Sequence, residues 1–280
     1  MRAVGNAESI ARRRRTRIAV RVTASIVLLA LAAGALAIWV LGGTKRAIPS
    51  DCFVVAGTSH YQIDTAQAEN ATTIAAVGKR LGLPDHAVTV ALAAALQESR
   101  LTNIAYGDRD SLGLFQQRPS QGWGTPAQIM RPPYAAKRFF AALEHVPGWQ
   151  TMSVTDAAQA VQHSDAPQAY ASWEPLARTL AVATTGEVAA GLSCEFPLPR
   201  PKGPVTSPIS VMTQETGPLA LRAPGSRKRG WLAASWLVGH AQRFGITSVT
   251  FGTHRWTPHG SWTTTATAQT GIQITQAPAT

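Results

Sequence analysis

From Val22 to Leu41 the chain runs for twenty residues without a charge, VTASIVLLALAAGALAIWVL, directly after a cluster of arginines. At about 1.5 Å per residue, a helix of that length matches the ~30 Å hydrocarbon core of a bilayer. Few core helices are this uniformly apolar and so heavily flanked by arginine, so this segment is expected to be a transmembrane helix. Arg12 to Arg15, Arg17 and Arg21 precede it, whereas only Lys45 and Arg46 follow closely. That asymmetry puts residues 1–21 in the cytoplasm and everything after Leu41 outside the cell membrane. Trp39 stands where an interfacial aromatic would. The competing reading is a cleaved signal peptide, since Ala35-Leu36-Ala37 has the small-x-small form. The apolar run exceeds the ~7–15 residues of a usual signal core, which favours a retained anchor.

The charge then needs no nucleic-acid partner. Seven arginines and one glutamate fall within residues 1–21, so more than half of the net charge of +11 belongs to that tail. Hydrophobic residues at 45% and charged residues at 15% exclude a disordered chain. The two cysteines, Cys52 and Cys194, both lie beyond the apolar run. In an oxidising exterior such a pair reads as one disulfide.

Composition divides the rest. Residues 42–64 read as a linker with Gly42-Gly43 and Pro49. Residues 65–196 form a central domain. Residues 197–208, PLPRPKGPVTSP, hold five prolines and mark a stiff linker. Residues 209–280 form a smaller unit. The central domain reads as helical. A helix capped by Thr65 is expected through Lys79, ended by Gly82 and Pro84. Asp85 caps HAVTVALAAALQESRL, whose alanines all round predict a buried central helix. PYAAKRFFAALEHV is amphipathic, Thr155-Asp156 caps AAQAVQHS, and Asp165-Ala166-Pro167 opens a last helix that Pro175 kinks or divides. Residues 101–133 are loop-like. In the C-terminal unit, WLAASWLVGHAQRF is an amphipathic helix with Gly245 as its C-cap. The segments around 248–251, 255–257, 262–265 and 272–275 alternate like short strands.

Glu98 carries the chemistry. A carboxyl near the end of an apolar helix is poorly solvated, which raises its pKa. A protonated acid near neutral pH is what glycosidic cleavage requires, because the leaving oxygen must take up a proton. A lone glutamate at a helix end would be unremarkable. This one is followed by Ser99 and, fifteen residues on, by Gly113-Leu114-Phe115-Gln116-Gln117, with Ala169-Tyr170 further along. The set resembles the lysozyme-like lytic transglycosylases that cleave peptidoglycan, akin to goose-type lysozymes, over about residues 68–185.

The resemblance implies a mainly α, lysozyme-like domain after one N-terminal transmembrane helix, with the small α+β unit following. It implies Glu98 as the single catalytic acid/base and Ser99 as a residue that orients substrate. Gly113, Leu114, Phe115 and Gln116 match the loop lining the sugar groove, and Tyr170 matches the tyrosine that holds the acid. Two positions depart: Phe115 replaces the commoner Met, and Ala171 stands where the family often has Asn. One carboxylate suffices for a lyase, since the substrate's N-acetyl group and 6-hydroxyl can do the remaining work. Asp108 or Asp110 could instead serve as a base for water, although aspartates in Gly-Asp-Arg-Asp-Ser commonly shape turns. Gln117, Arg118 and Trp123 are expected along the groove, with Trp123 stacking on sugar rings. Trp149 could fill the groove as well, but in Pro-Gly-Trp it is expected as a core plug at a helix junction. Trp256 and Trp262 suit a glycan surface or a core. His240, His254 and His259 match no metal-ligand spacing, and no cofactor is implied. The expected partners are peptidoglycan strands and the membrane, with no nucleic acid. The reading held in reserve is a glycan-binding scaffold without catalysis.

Overall fold

A computed structural model describes residues 50–164, 166–198, 207–217 and 227–278. The apolar run 22–41 and its arginine flank lie outside the described residues. Among the described residues, no helix is long and apolar enough to cross a membrane.

Two antiparallel strands, β1 (Asp51–Ala56) and β2 (Ser59–Asp64), occupy most of the segment expected to be a linker. The correction has a local cause. Cys-Phe-Val-Val and Ser-His-Tyr-Gln-Ile-Asp are β-prone runs joined by the two-residue turn Gly57-Thr58, and Gly57 adopts the left-handed conformation such a turn needs. A third strand, β3 (Leu192–Glu195), pairs antiparallel with β1 and gives the order β2-β1-β3. Cys52 and Cys194 stand directly opposite each other in that register, and their sulfurs are bonded with the Cα atoms 3.9 Å apart. The bridge spans 142 residues of sequence and ties the entry of the helical region to its exit.

Helices fill the space between. α1 (Thr65–Arg80) begins one residue later than its cap, which is Asp64 rather than Thr65. Asp64 Oδ1 accepts from Gln67 N at 2.7 Å and Gln67 Oε1 accepts from Asp64 N at 2.9 Å, a capping box. α2 (Asp85–Ser99) is buried along ten consecutive residues from Ala87 to Leu96. Its alanines let neighbours approach from every side, so it forms the axis of the fold. α3 (Pro132–Glu144), α4 (Val154–Gln162) and α5 (Glu174–Thr184) pack around it. The segment before α5, Pro167–Trp173, is a 3-10 helix, and Pro175 sits in the first turn of α5, so the proline does divide the expected last helix.

Beyond the proline-rich stretch, α6 (Pro208–Thr216) and α7 (Arg227–Gly239) pack against α1. The helix expected over 231–244 therefore starts earlier, and a separate turn, Ala241–Phe244, ends at Gly245 in the left-handed conformation. The four short strands expected in the C-terminal unit are two long ones, β4 (Ile246–Trp256) and β5 (Thr263–Gln276), paired antiparallel with register shifts. The fold is thus mixed, with helices plus two small sheets: β4-β5 in the unit expected to be α+β, and β2-β1-β3 where the expected linker and the expected all-helical region meet. Met212, Trp231, Trp236, Ile246 and Trp256 belong to the same buried cluster as Leu92, Leu96 and Phe139. Trp256 is fully buried and donates to Cys194 O at 3.1 Å, and Trp262 donates to Leu192 O at 2.8 Å. These indoles clamp β3, which favours their core role. Trp149 is buried against His86, as a plug would be.

Candidate functional site

The site grows from the end of α2. Arg100 and Leu101 both adopt left-handed backbone conformations, with φ of 56° and 58°. Leu101 N donates to Ala95 O and Arg100 N to Leu96 O, a Schellman stop without glycine. Non-glycine residues resist this conformation, so the surroundings must hold it. They do: Gln67 Nε2 donates to Arg100 O at 2.8 Å and Asn70 Nδ2 to Leu101 O at 2.7 Å, both from α1. The sharp stop leaves Glu98 in the last helical turn, half-buried, where the chain folds back.

The returning segment is a closed loop. Leu112 and Gln117 exchange two backbone hydrogen bonds of 3.0 Å, with Gly113 at φ 75° and Gln116 at φ 46° between them. A side chain at Gly113 would come 3.0 Å from Ile129 O, so glycine is required there. Ser99 Oγ donates to Leu114 O at 2.7 Å and Gln162 Nε2 donates to Phe115 O at 2.9 Å. Both peptide carbonyls at the loop's tip are thereby fixed, one from α2 and one from α4. Leu114 and Phe115 point inward, and Phe115 stacks on Phe139 with ring centroids 4.7 Å apart.

Tyr170 reaches Glu98 from the 3-10 segment. Its hydroxyl donates to Glu98 Oε1 at 2.8 Å, and the tyrosine itself is fully buried. Burial raises the Glu98 pKa above its ordinary value; the Tyr170 hydroxyl and the Gln162 amide oppose that by favouring the ionised form. Burial, and then the adjacent Glu98 carboxylate, push the Tyr170 phenol upward, so it stays a donor. Tyr170 therefore orients a carboxyl that desolvation keeps inclined to hold its proton.

Glu98 opens on a cleft of about 1040 Å³ walled by the 108–123 loop, α3 and the end of α4. Of the residues expected to line a groove, Gln116, Gln117, Arg118 and Trp123 do so together with Glu98. Ser99, Gly113, Leu114, Phe115 and Tyr170 lie behind that surface and hold it in shape. Gln116 Nε2 donates to Tyr106 O and Gly113 O, at 3.3 and 3.2 Å. Gln117 is buried, donating to Ala135 O at 3.1 Å while its Oε1 has no partner among the described residues. Asp110 shapes the loop: it accepts from Arg118 Nε, Ser120 N and Ser120 Oγ at 2.8 to 3.0 Å, and these donors, the Ser120 amide foremost, hold its carboxyl well below the usual range. Asp108 is exposed at the rim beside Arg109, 3.8 Å away.

Gln162 escaped sequence reasoning. It sits in AAQAVQHS, where its only visible feature was a polar residue late in an amphipathic helix. Its role depends on a loop 47 residues earlier folding onto α4. Of the three histidines weighed for metal, His240 is buried in the core, stacked 3.6 Å from Trp236, and its pKa falls to about 3 by desolvation. No protein-family model matches the chain, and no curated protein matches its sequence.

Proposed function

We propose that this chain is a glycan-cleaving enzyme with Glu98 as its single acid/base, and that its reaction is that of a peptidoglycan lytic transglycosylase. The observation that carries the reading is the Glu98 carboxyl itself. It is half-buried, raised above its ordinary value by desolvation, held at 2.8 Å by Tyr170, and open to a polar cleft with an indole on its wall. A module that only bound glycans would have no use for a desolvated acid held by a buried tyrosine.

The chemistry follows from one carboxyl. Glu98 gives its proton to the glycosidic oxygen as the bond to the anomeric carbon breaks. The carbonyl oxygen of the substrate's 2-acetamido group closes on that carbon and spreads the positive charge. Glu98, now a carboxylate, then takes the proton of the 6-hydroxyl as that oxygen attacks the same carbon and expels the acetamido oxygen, leaving a 1,6-anhydro end. A hydrolase with two carboxylates needs a second group free to act as nucleophile or base. Asp110 is committed to three donors, and Asp108 stands exposed at the rim with only Arg109 nearby, which favours the one-acid route.

The same reading covers location. The arginine flank and the apolar run of residues 22–41 support a single-pass anchor with the described residues outside the membrane. The buried disulfide between β1 and β3 suits an oxidising compartment. The test is clearing of purified peptidoglycan sacculi by the full-length chain in mild detergent. Wild type should clear them and Glu98→Gln should not; equal clearing by both would remove Glu98 from the mechanism.

A further inference from the structure

α1 makes contacts on two sides of the same stretch. At about 100° per residue, Gln67 and Asn70 fall on one side of the helix and Thr72 and Thr73 on the other. Gln67 and Asn70 hold the carbonyls of Arg100 and Leu101, the left-handed turn that stops α2 behind Glu98. Thr72 and Thr73 face two buried ionisable groups of the C-terminal helices. Thr73 Oγ1 donates to Glu215 Oε2, near the end of α6, at 3.1 Å, and Trp236 Nε1 of α7 donates to the same oxygen at 2.8 Å. His240, just past α7, places Nδ1 3.3 Å from Thr72 Oγ1 and Nε2 3.3 Å from Thr73 Oγ1. Gly239 permits this approach: a Cβ there would meet Thr72 Oγ1 at 2.7 Å and Ala68 O at 3.0 Å.

The chemistry of this contact exceeds what packing requires. A buried carboxyl and a buried imidazole give little net stability over apolar groups of the same shape. Thr72 does not depend on the contact either, since its hydroxyl reaches Ala68 O and Glu69 O at 2.9 Å within its own helix. What polar contacts add is a single geometry, so that α7 meets α1 in one register. α1 has need of that, because its buried residues from Ala68 to Gly78 are mostly alanine and threonine and give few ridges to fix its rotation. Two left-handed residues without glycine persist only where their surroundings over-determine them. Gln67 and Asn70 do this for Arg100 and Leu101 only while α1 keeps its rotation.

We infer that Glu215 and His240 are positioning residues for Glu98: they fix α1 against the C-terminal helices, and α1 fixes the turn that carries the acid, so α6 and α7 form a brace of the candidate site rather than a separate module. The acid's role in this rests on the glycan-cleaving reading above.

The experiment uses the full-length chain in detergent and two variants that break the contact from opposite sides. Thr72→Val with Thr73→Val removes the hydroxyls at constant shape, and His240→Phe keeps a ring stacked on Trp236. Hydrogen exchange reads the turn, and a carbon-13 carboxyl titration of labelled glutamate reads Glu98, its signal assigned by loss in Glu98→Gln. In both variants the Arg100 and Leu101 amides should exchange about tenfold faster, the size of coupling that a chain of packed contacts carries. Ala93, in the middle of α2, should keep its protection. Glu98 should titrate lower, toward the ordinary glutamate value, as water reaches it. Thr72→Ser with Thr73→Ser, which keeps both hydroxyls, should behave as wild type. Unchanged exchange at Arg100 and Leu101 overturns the inference, and so does equal acceleration along all of α2, which would show a loss of stability alone. An unmoved Glu98 titration beside a loosened turn also overturns it. Neither readout needs substrate, so failure of the wild type to clear sacculi sinks the glycan reading separately.

Discussion

Glu98→Gln removes a charge that the fold desolvates, yet keeps an oxygen able to accept from Tyr170. Stability should therefore rise where activity is lost. Burial raises the folded-state pKa of Glu98 above its unfolded value. Between those two values the native chain holds a proton that the unfolded chain has released, so stability falls as pH rises through the window. At about pH 3.5, below the ordinary glutamate value of ~4.3, the group is neutral in both states and the variant gains nothing. At pH 7 the wild type carries the penalty. For a half-buried carboxyl that keeps one good donor, we expect roughly 1 kcal/mol, the size of gain common when a strained functional group is relieved. That corresponds to a rise of ~2–4 °C in Tm for a unit of this size. The assay is thermal unfolding of both full-length proteins followed by tryptophan fluorescence at the two pH values. No gain at pH 7, or the same gain at both, would refute the claim that desolvation of Glu98 is built into the fold.

Tyr170→Phe should lower kcat about 10- to 100-fold, the cost of a loosened general acid, with folding retained. Because the hydroxyl favours ionised Glu98, its loss should also move the alkaline limb of the pH–rate profile upward, and a downward move would contradict the assignment. Reducing the Cys52–Cys194 bridge, which closes a 142-residue separation, should cost about 4–5 kcal/mol in the chain-entropy model, read as a lowered Tm with reductant. An unchanged melt would show that strand pairing alone holds the sheet. At Gly107 a Cβ would lie 1.8 Å from Gln116 Oε1. Gly107→Ala should thus displace Gln116 and lower activity several-fold while stability, measured by denaturant unfolding, changes within ~0.5 kcal/mol, as at other exposed positions.

The helices were legible because their signals are local. Alanine and leucine at close intervals marked α2, proline at its start and paired phenylalanines marked α3, and Pro175 divided the 3-10 segment from α5 where it should. Caps slipped by a residue or two because Asp64 and Ser153, rather than Thr65 and Thr155, make the capping bonds. β1 and β2 were read as linker because strands of six residues carry a weak signal alone and are stabilised here by β3, more than a hundred residues away. α6 hides behind prolines and is anchored by a long-range contact: Glu215, raised by burial, accepts from Thr73 and Trp236 at 3.1 and 2.8 Å. At the site, Tyr170 hydrogen-bonds Glu98 and the 113–117 loop folds back onto α2. What sequence could not separate was which residues face the cleft and which brace it. Ser99 and Phe115 brace; Gln116 and Trp123 face the space. That distinction is set by the left-handed turn at Arg100 and Leu101, which no glycine announces.

The proposed reaction is a single-acid cleavage that ends in an anhydro sugar. Its most direct test is mass spectrometry of the fragments that the full-length chain releases from peptidoglycan sacculi, run beside Glu98→Gln. Wild type is expected to release 1,6-anhydromuramyl fragments and the variant none. Fragments with reducing ends would contradict it and point to water activated by Asp108, and fragments of either kind from Glu98→Gln would contradict the assignment of the acid itself.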